Sequence, residues 1–218
     1  MLGLLATVQF APAQMTTNII LSPNAGIPDG SAVGLVEHFL VGGLSGVITN
    51  IQVTLDITGG FNGDLYAYLA GPQGQLAVLL NRSGITGANA FGYGDAGFNL
   101  TLGLSGANVH GYGSGYSVNG SGQVVGAWGA DGRNIDPQSA GSVFDGAGTG
   151  ANLNLFQNTD ANGTWTLFIA DLGAGGGTAN LNSATLSLTL MAVPEPQPWV
   201  MFFGGMTTLW MLCRNRTL

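Results

Sequence analysis

The sequence contains no lysine and only 4 basic residues, all of them arginine, and this scarcity of positive charge excludes one large class of functions. Charged residues make up 7% of the chain, and the formal net charge is −7. A protein that binds nucleic acid neutralises phosphates with clustered lysine and arginine side chains, which this chain lacks. We therefore expect no nucleic-acid partner, and the acidic, lysine-free composition favours a protein that works outside the cell.

Cysteine is scarce as well, since the single one, Cys213, lies in an apolar stretch near the C-terminus. Residues 14–191, the body of the protein, therefore contain no disulfide, and their stability has to come from a packed core or from bound ions. With 45% apolar residues, a body of this length has enough material for one domain with its own core.

Only two histidines, His38 and His110, are present for acid–base chemistry. A serine-hydrolase triad needs a histidine held between a nucleophile and a carboxylate. Neither histidine is accompanied by the Gly-x-Ser-x-Gly sequence of a nucleophile elbow. The sequence therefore predicts a protein that is not an enzyme, with a small hydrolase as a distant alternative.

The N-terminal residues 1–13 are apolar and uncharged, and they end in the small-x-small sequence Ala11-Pro12-Ala13. This pattern predicts a signal peptide that is cleaved before Gln14. No basic residue precedes the apolar stretch, so two alternatives stay open. Either the true start lies upstream and the signal is truncated here, or the segment is a first buried strand.

The C-terminal tail, residues 193–218, contains three features in order: the motif Pro194-Glu195-Pro196, an uncharged apolar run over residues 199–213, and the pair Arg214 and Arg216. The run is short against the about 20 residues that usually cross a bilayer. We nevertheless predict a C-terminal transmembrane helix, because the terminal arginines would hold its end in the cytoplasm. A buried core helix is the alternative.

This tail resembles the PEP-CTERM sorting signal, which has the same three parts in the same order. The resemblance implies export by a Gram-negative bacterium that makes extracellular polysaccharide. It also implies transient anchoring in the inner membrane, processing by an exosortase, which is a membrane cysteine protease, and arrival at the cell surface or in the medium. The prolines would keep the motif extended and accessible to that protease.

The body has the pattern of many short strands. Residues 51–57 alternate between apolar and polar, and residues 184–190 do so again, which is typical of half-buried strands. Shorter predicted strands have β-forming composition or turn boundaries and lie at residues 18–22, 64–69, 76–80, 98–102 and 164–170. No stretch shows a helical period with caps. The sequence therefore predicts an all-β protein, an antiparallel β-sandwich.

The middle of the body, residues 103–150, is rich in glycine, serine, asparagine and alanine and has no clean period. It is predicted to form long loops or a variable insertion between strands. Such loops carry a binding surface or act as an irregular spacer, and both alternatives stay open.

Two separated stretches resemble the P domain, also called the P/Homo B domain. The first, residues 50–74, has a strand, then Gly63-Asp64-Leu65, a second strand, and the turn Gly71-Pro72-Gln73-Gly74. The second, residues 162–171, has the Gly-x-Trp-x-Leu-x-x-x-Asp pattern that runs from Gly163 to Asp171, followed by a closing strand over residues 179–189. The resemblance implies a jelly-roll-like β-sandwich over roughly residues 35–191, in agreement with the strand pattern.

The chain departs from the P-domain pattern in two ways. Gly59 stands where the family often has a histidine shortly before Gly-Asp-Leu. P domains commonly follow a subtilisin-like protease domain and support its folding, and this chain has no room for one. We therefore expect a non-catalytic surface or matrix module that binds extracellular polysaccharide or an envelope protein. The alternative is an accessory P domain that supports a separately encoded subtilisin-like serine protease.

Calcium is the predicted ion, because some P domains bind it and because the body has no disulfide. Calcium takes six to eight oxygen ligands. The candidate ligands are Asp64 and Asp171, at corresponding strand ends of the two motifs, with Asp56 and Asp95 near turns. The alternative is that Asp64 and Asp171 accept backbone N–H bonds in their own turns.

Aromatic side chains supply the candidates for stacking on a sugar. Tyr112, Tyr116 and Trp128 lie in the glycine-rich middle, and Tyr93 lies shortly before it. Trp165 is predicted to belong to the core, because it begins an alternating strand and matches a tryptophan that is buried in the P domain.

Overall fold

The structure, a computed structural model, describes residues 13–113 and 115–192. Most of the predicted signal peptide and all of the C-terminal tail, including the sorting motif and the apolar run, lie outside these residues. Within the described part of the chain, no helix is long and apolar enough to cross a membrane.

The described residues form two β-sheets and very little helix. The larger sheet has 7 strands in the order β1 (Gln14–Leu21), β11 (Ala179–Met191), β4 (Val47–Thr58), β7 (Gly97–Asn108), β9 (Val124–Gly129) and β8 (Ser117–Val118), with β2 (Ala25–Ile27) also paired to β11. The smaller has 4 strands in the order β3 (Ser31–Val41), β10 (Gly163–Asp171), β5 (Leu65–Ala70) and β6 (Leu76–Asn81). Helical turns occur at α1 (Gly141–Asp145) and as 3-10 turns at Val109–Gly111 and Leu153–Phe156. The prediction of a mostly β protein is confirmed.

One hydrophobic core is shared by the two sheets. Strand β4 buries every second residue, from Ile51 to Ile57, and β11 buries Leu186, Leu188 and Leu190. The smaller sheet contributes the fully buried Trp165 of β10, so the prediction that this residue belongs to the core is confirmed. Alternation of period two places one face of each strand in this core, and burial of that face drives the pairing.

Two elements depart from the predicted layout. Strand β3 lies where the sequence predicted no strand. Val33 and Leu40 are exposed on this edge strand, which obscures the alternation. The glycine-rich middle is not wholly loop, because β9 pairs in parallel with β7, so the sheet is not antiparallel throughout. Gly126 and Gly129 interrupt the apolar pattern of β9, and its partner β7 is reached across a connection that contains the short strand β8.

Three loops meet at one end of the two sheets: the β4–β5 loop (residues 59–64), the β6–β7 loop (residues 82–96) and the β10–β11 loop (residues 172–178). Asn62 is fully buried there. Its side-chain amide forms hydrogen bonds with the N–H and the carbonyl of Gly97 and with the hydroxyl of Tyr112, at 3.0–3.1 Å. The Gly63 N–H also donates to the Tyr93 carbonyl at 2.8 Å. These bonds fix the loops on a rigid scaffold, which is where binding sites commonly occur.

Candidate ligand-binding recess

The three loops enclose a recess of about 450 Å³, which we call the loop recess. Its lining combines aromatic rings with one ion pair and small residues: Phe61, Asp64, Arg82, Phe91, Tyr93, Gly173 and Ala174, with Gly92 and Gly94. A concave, largely apolar surface with a few converging polar groups is the usual form of a ligand site.

The aromatic rim of the loop recess is open to solvent. The Phe91 side chain is 85% exposed and that of Phe61 is 43% exposed, although burial of a phenyl ring is strongly favourable. Tyr93 stands beside them, and its ring packs on the backbone of Gly84, where a Cβ atom would lie 2.6 Å from the ring. The Phe61 ring packs on Gly176 in the same way, since a Cβ atom at Gly176 would lie 2.5 Å from the ring. Glycine at these two positions therefore sets the ring positions.

An ion pair lies beside the aromatic rim. The Nη2 atom of Arg82 is 3.4 Å from Oδ1 of Asp64, and both side chains are mostly buried, at 18% and 14% exposure. Arg82 Nε also donates to the Gly63 carbonyl at 3.0 Å, which fixes the guanidinium plane. Burial raises the pKa of Asp64, while the charge of Arg82 acts in the opposite direction.

Asp171 lies close to this ion pair, at the end of β10. It is fully buried, and neither of its carboxylate oxygens makes a well-formed hydrogen bond with the described residues; the nearby Gly173 N–H has only a minor lowering effect on its pKa. Burial raises the pKa of Asp171 to about 7, and the neighbouring carboxylates of Asp64 and Asp29 add to the shift. A buried carboxylate without partners is costly, so this side chain stands out as a candidate for binding a cation or a proton.

The raised pKa of Asp171 predicts a pH dependence of stability. The folded protein binds this proton more tightly than the unfolded chain, in which the pKa is near 3.8. The contribution of Asp171 to the free energy of unfolding therefore falls as pH rises from about 4 to about 7. We expect Asp171→Asn to flatten the curve of unfolding free energy against pH over this range. Urea unfolding of both proteins in EDTA measures it, and parallel curves would contradict the assignment.

The four predicted calcium ligands are not brought together. Asp56 accepts hydrogen bonds from the amides of Gln123 and Asn182, at 2.6 and 3.1 Å. Asp95 accepts from two tyrosine hydroxyls, so only Asp64 and Asp171 remain as neighbours. Across residues 13–113 and 115–192, no three side chains of His, Cys, Asp or Glu are grouped as metal ligands.

The predicted stacking residues have different environments. Tyr112 is fully buried, because its hydroxyl donates to Asp95 at 2.9 Å and its ring packs edge-on against Phe98, so its prediction as an exposed platform is wrong. Tyr116 is 36% exposed and rests on Tyr112 with a centroid distance of 5.1 Å. Trp128 is partly buried, and its Nε1–H donates to the Val125 carbonyl at 3.2 Å.

Of the aromatic residues that the sequence singled out, Tyr93 is the one that lines the loop recess. Phe61, Arg82 and Phe91 were missed. Each follows a strand or lies in a glycine-rich loop, and the only local signal is a large apolar residue next to a glycine, as at Gly60-Phe61 and Phe91-Gly92.

Neither histidine has the surroundings of a catalytic base. His38 is exposed, and its Nδ1 atom is 3.2 Å from the Thr166 hydroxyl. His110 is buried, with Nδ1 2.8 Å from Asp131 Oδ2 and Nε2 2.9 Å from the Ile85 carbonyl. Because a triad needs one ring nitrogen for the Asp and the other for the nucleophile, the Ile85 contact occupies the position that a nucleophile would need.

No protein-family model matches the sequence, and no curated protein matches it. Among solved structures, the chain is similar to the Aeromonas sobria serine protease in complex with its chaperone ORF2, with a TM-score of 0.47 and 14% identity. The same protease alone gives a TM-score of 0.45 and 13% identity. The matches cover 85% and 84% of this chain but only 28% of each protease chain, so this chain spans well under a third of those proteins.

Proposed function

We propose that the protein is a non-catalytic binding module, a P-domain-like β-sandwich of the jelly-roll kind, that holds extracellular polysaccharide in the loop recess. The observation that carries the proposal is the open aromatic rim of Phe61, Phe91 and Tyr93 beside the Arg82–Asp64 pair. Aromatic faces pack on the C–H faces of sugar rings, and the guanidinium and carboxylate offer directional hydrogen bonds to hydroxyl groups.

The surroundings of the two histidines support a non-catalytic role. The buried His110 is held by Asp131 and by the backbone on its other side, and the exposed His38 contacts only a threonine hydroxyl in the described structure. A fixed ring without a nucleophile serves packing rather than proton transfer.

A retention experiment tests the binding proposal. We expect the protein to be retained on immobilised extracellular polysaccharide, and Phe91→Ala to weaken retention by about tenfold, because an exposed stacking ring contributes roughly 1–3 kcal/mol. Leu40→Ala is the matched control, since Leu40 is 74% exposed and lies on β3 outside the loop recess. Equal retention of both variants would contradict the assignment of the site.

The P-domain resemblance supports one alternative function, an accessory role beside a separately encoded subtilisin-like serine protease. Its supporting feature is the Gly-x-Trp-x-Leu-x-x-x-Asp pattern of β10, with Trp165 buried as the resemblance implies. Pull-down of a protease that depends on this chain for folding, without retention on polysaccharide, would favour the alternative.

The C-terminal tail supports a proposal about destination. We infer export, transient inner-membrane anchoring through residues 199–213 and processing by an exosortase at Pro194-Glu195-Pro196. Deletion of residues 194–218 is expected to release the body, folded, to the periplasm or medium, because the described residues, 13–113 and 115–192, already contain a hydrophobic core shared by the two sheets. Fractionation followed by limited proteolysis measures this, and an aggregated body would show that the tail is part of the fold.

Calcium binding stays a prediction, now confined to Asp64 and Asp171. The unpartnered oxygens of Asp171 favour it, because a calcium ion takes carboxylate oxygens and would neutralise this buried charge. We expect calcium to raise the melting temperature of EDTA-stripped protein and Asp171→Asn to abolish the shift. An unchanged melting temperature would remove calcium from the account.

A further inference from the structure

The loop recess is surrounded by more negative than positive charge. Asp64, Asp171 and Asp29 lie close enough to influence one another, whereas among the described residues Arg82 is the one basic side chain that lines the recess. Asp29 extends from the β2–β3 turn and accepts a bond from the Gly175 N–H at 3.3 Å, which places it at the β10–β11 loop. A neutral or anionic ligand would leave this excess of carboxylates uncompensated.

The carboxyl group of Asp171 lies close to the recess and has no cationic partner among the described residues. A Cβ atom on Gly60, next to Phe61, would lie 3.2 Å from its Oδ2 atom, so the carboxylate reaches the backbone behind the aromatic rim. Both of its oxygens are without hydrogen-bond partners in the described residues, and Arg82 is paired with Asp64 instead. A positive charge placed in the recess would be attracted by the carboxylates of Asp64 and Asp29, and by Asp171 above its raised pKa of about 7.

The aromatic rim has the same preference for positive charge. The exposed rings of Phe61 and Phe91 have faces with negative electrostatic potential, which attract a cation within about 6 Å of the ring centre. Phenyl rings that flank carboxylates are therefore suited to a ligand with both an apolar ring face and a protonated amine. A pyranose ring that bears an ammonium group has both features.

We propose that the loop recess recognises a cationic amino sugar, such as a glucosamine unit whose amine is free, within a polysaccharide chain. This inference rests on the proposed binding function and names the chemical class of its ligand. The sugar ring stacks on the exposed Phe91 ring while its ammonium group lies toward Asp64 and Asp29.

A basic peptide is the competing cationic ligand, and the strand arrangement disfavours it. Extended peptides commonly bind by adding a strand to a free sheet edge. Strands β4, β5 and β10, whose loops form the recess, each lie between two neighbours. Strand β6 ends its sheet, but its backbone is already bonded to Asp131, Gly132 and Ala151.

Calorimetric titration with three sets of short oligosaccharides tests this inference: oligomers of glucosamine, of N-acetylglucosamine and of galacturonic acid, at about pH 6, where amines are largely protonated. We expect the glucosamine oligomer to bind at least about tenfold more tightly than its N-acetylated counterpart, with an affinity that falls as salt rises. The galacturonic acid oligomer is expected not to bind.

A charge variant with a matched control locates the effect. Asp29→Asn keeps an oxygen acceptor for Gly175, and we expect it to weaken glucosamine binding about threefold or more while leaving N-acetylglucosamine binding unchanged. Glu37→Gln makes the same change in net charge on β3, outside the recess, and should change neither affinity.

The outcomes separate this inference from the function on which it rests. Equal affinity for the free and acetylated amine, or tighter binding of the acidic oligomer, overturns the amino-sugar assignment but leaves a sugar-binding recess. An arginine-rich peptide that binds more tightly than the glucosamine oligomer overturns it in favour of a protein ligand. Failure of every oligosaccharide to bind contradicts both the inference and the proposed function.

Discussion

Asp131→Asn is expected to lower the free energy of unfolding by about 3–5 kcal/mol, the cost of breaking a buried ion pair from one side. Asp131 is fully buried, and both of its carboxylate oxygens accept hydrogen bonds. Its Oδ2 atom forms a hydrogen bond with Nδ1 of His110 at 2.8 Å and accepts another from the Asn81 N–H at 3.2 Å. Its Oδ1 atom accepts hydrogen bonds from the backbone N–H and from Nη1 of Arg133, at 3.2 and 3.0 Å.

The substitution is costly because an amide cannot replace this acceptor. The NH₂ group of the introduced asparagine would face buried N–H donors, which it cannot accept from. Arg133 would also lose the carboxylate with which it forms an ion pair. This cluster also joins the end of β6, the 3-10 turn Val109–Gly111 and the segment after β9. Its loss would therefore loosen the glycine-rich middle of the chain as well as remove an ion pair.

Urea unfolding of Asp131→Asn and of Asp136→Asn measures the effect with a matched control. Asp136 is exposed and accepts a bond from the Gln138 N–H at 2.9 Å, which an asparagine oxygen can also accept. We expect the control to change stability by less than about 0.5 kcal/mol. A similar small change for Asp131→Asn would show that the buried cluster does not stabilise the fold.

Trp165→Ala is expected to cost about 3–5 kcal/mol through loss of buried area and the cavity that remains. Trp165 is fully buried, pairs with Phe39 across β10 and β3, and packs edge-on against Phe156 at a centroid distance of 4.8 Å. Its Nε1–H donates to the Ala161 carbonyl at 2.8 Å, and the substitution leaves that carbonyl without this donor.

Trp165→Phe separates the two contributions, since it keeps most of the ring packing and removes the hydrogen bond. We expect it to cost about 1–3 kcal/mol, less than the alanine variant. Leu40→Ala, on the exposed face of β3, should be close to neutral in the same urea titration. Equal stability of Trp165→Ala and Leu40→Ala would contradict the placement of the core.

The sequence predicts those parts of the fold that depend on local alternation. Residues 51–57 and 184–190 alternate cleanly, and both lie in long central strands, β4 and β11, that bury one face. Strand β3 escaped prediction because it is an edge strand with an irregular register near Gly34, so its apolar residues face both sides. Strand β9 escaped because its partner β7 lies beyond a loop and its pattern contains two glycines.

The loop recess was only partly predictable for a different reason. Asp64 and Tyr93 drew attention by residue type, but Phe61 and Arg82 acquire a shared surface only when three loops far apart in sequence meet. Tyr112 shows the converse error. Its glycine-rich surroundings indicated exposure, whereas the distant Asn62 and Asp95 provide the hydrogen bonds that allow its burial. Contacts of this kind arise from the tertiary fold and leave no local pattern.

The most direct test of the account is an NMR titration that follows the aromatic ring signals as polysaccharide fragments are added. The account predicts shifts in Phe61, Phe91 and Tyr93, which line the loop recess, with no change at the Tyr68–Phe168 stack on the smaller sheet. Shifts confined to that stack, or no shift at any ring at saturating fragment, would contradict the claim that the loop recess is the binding site.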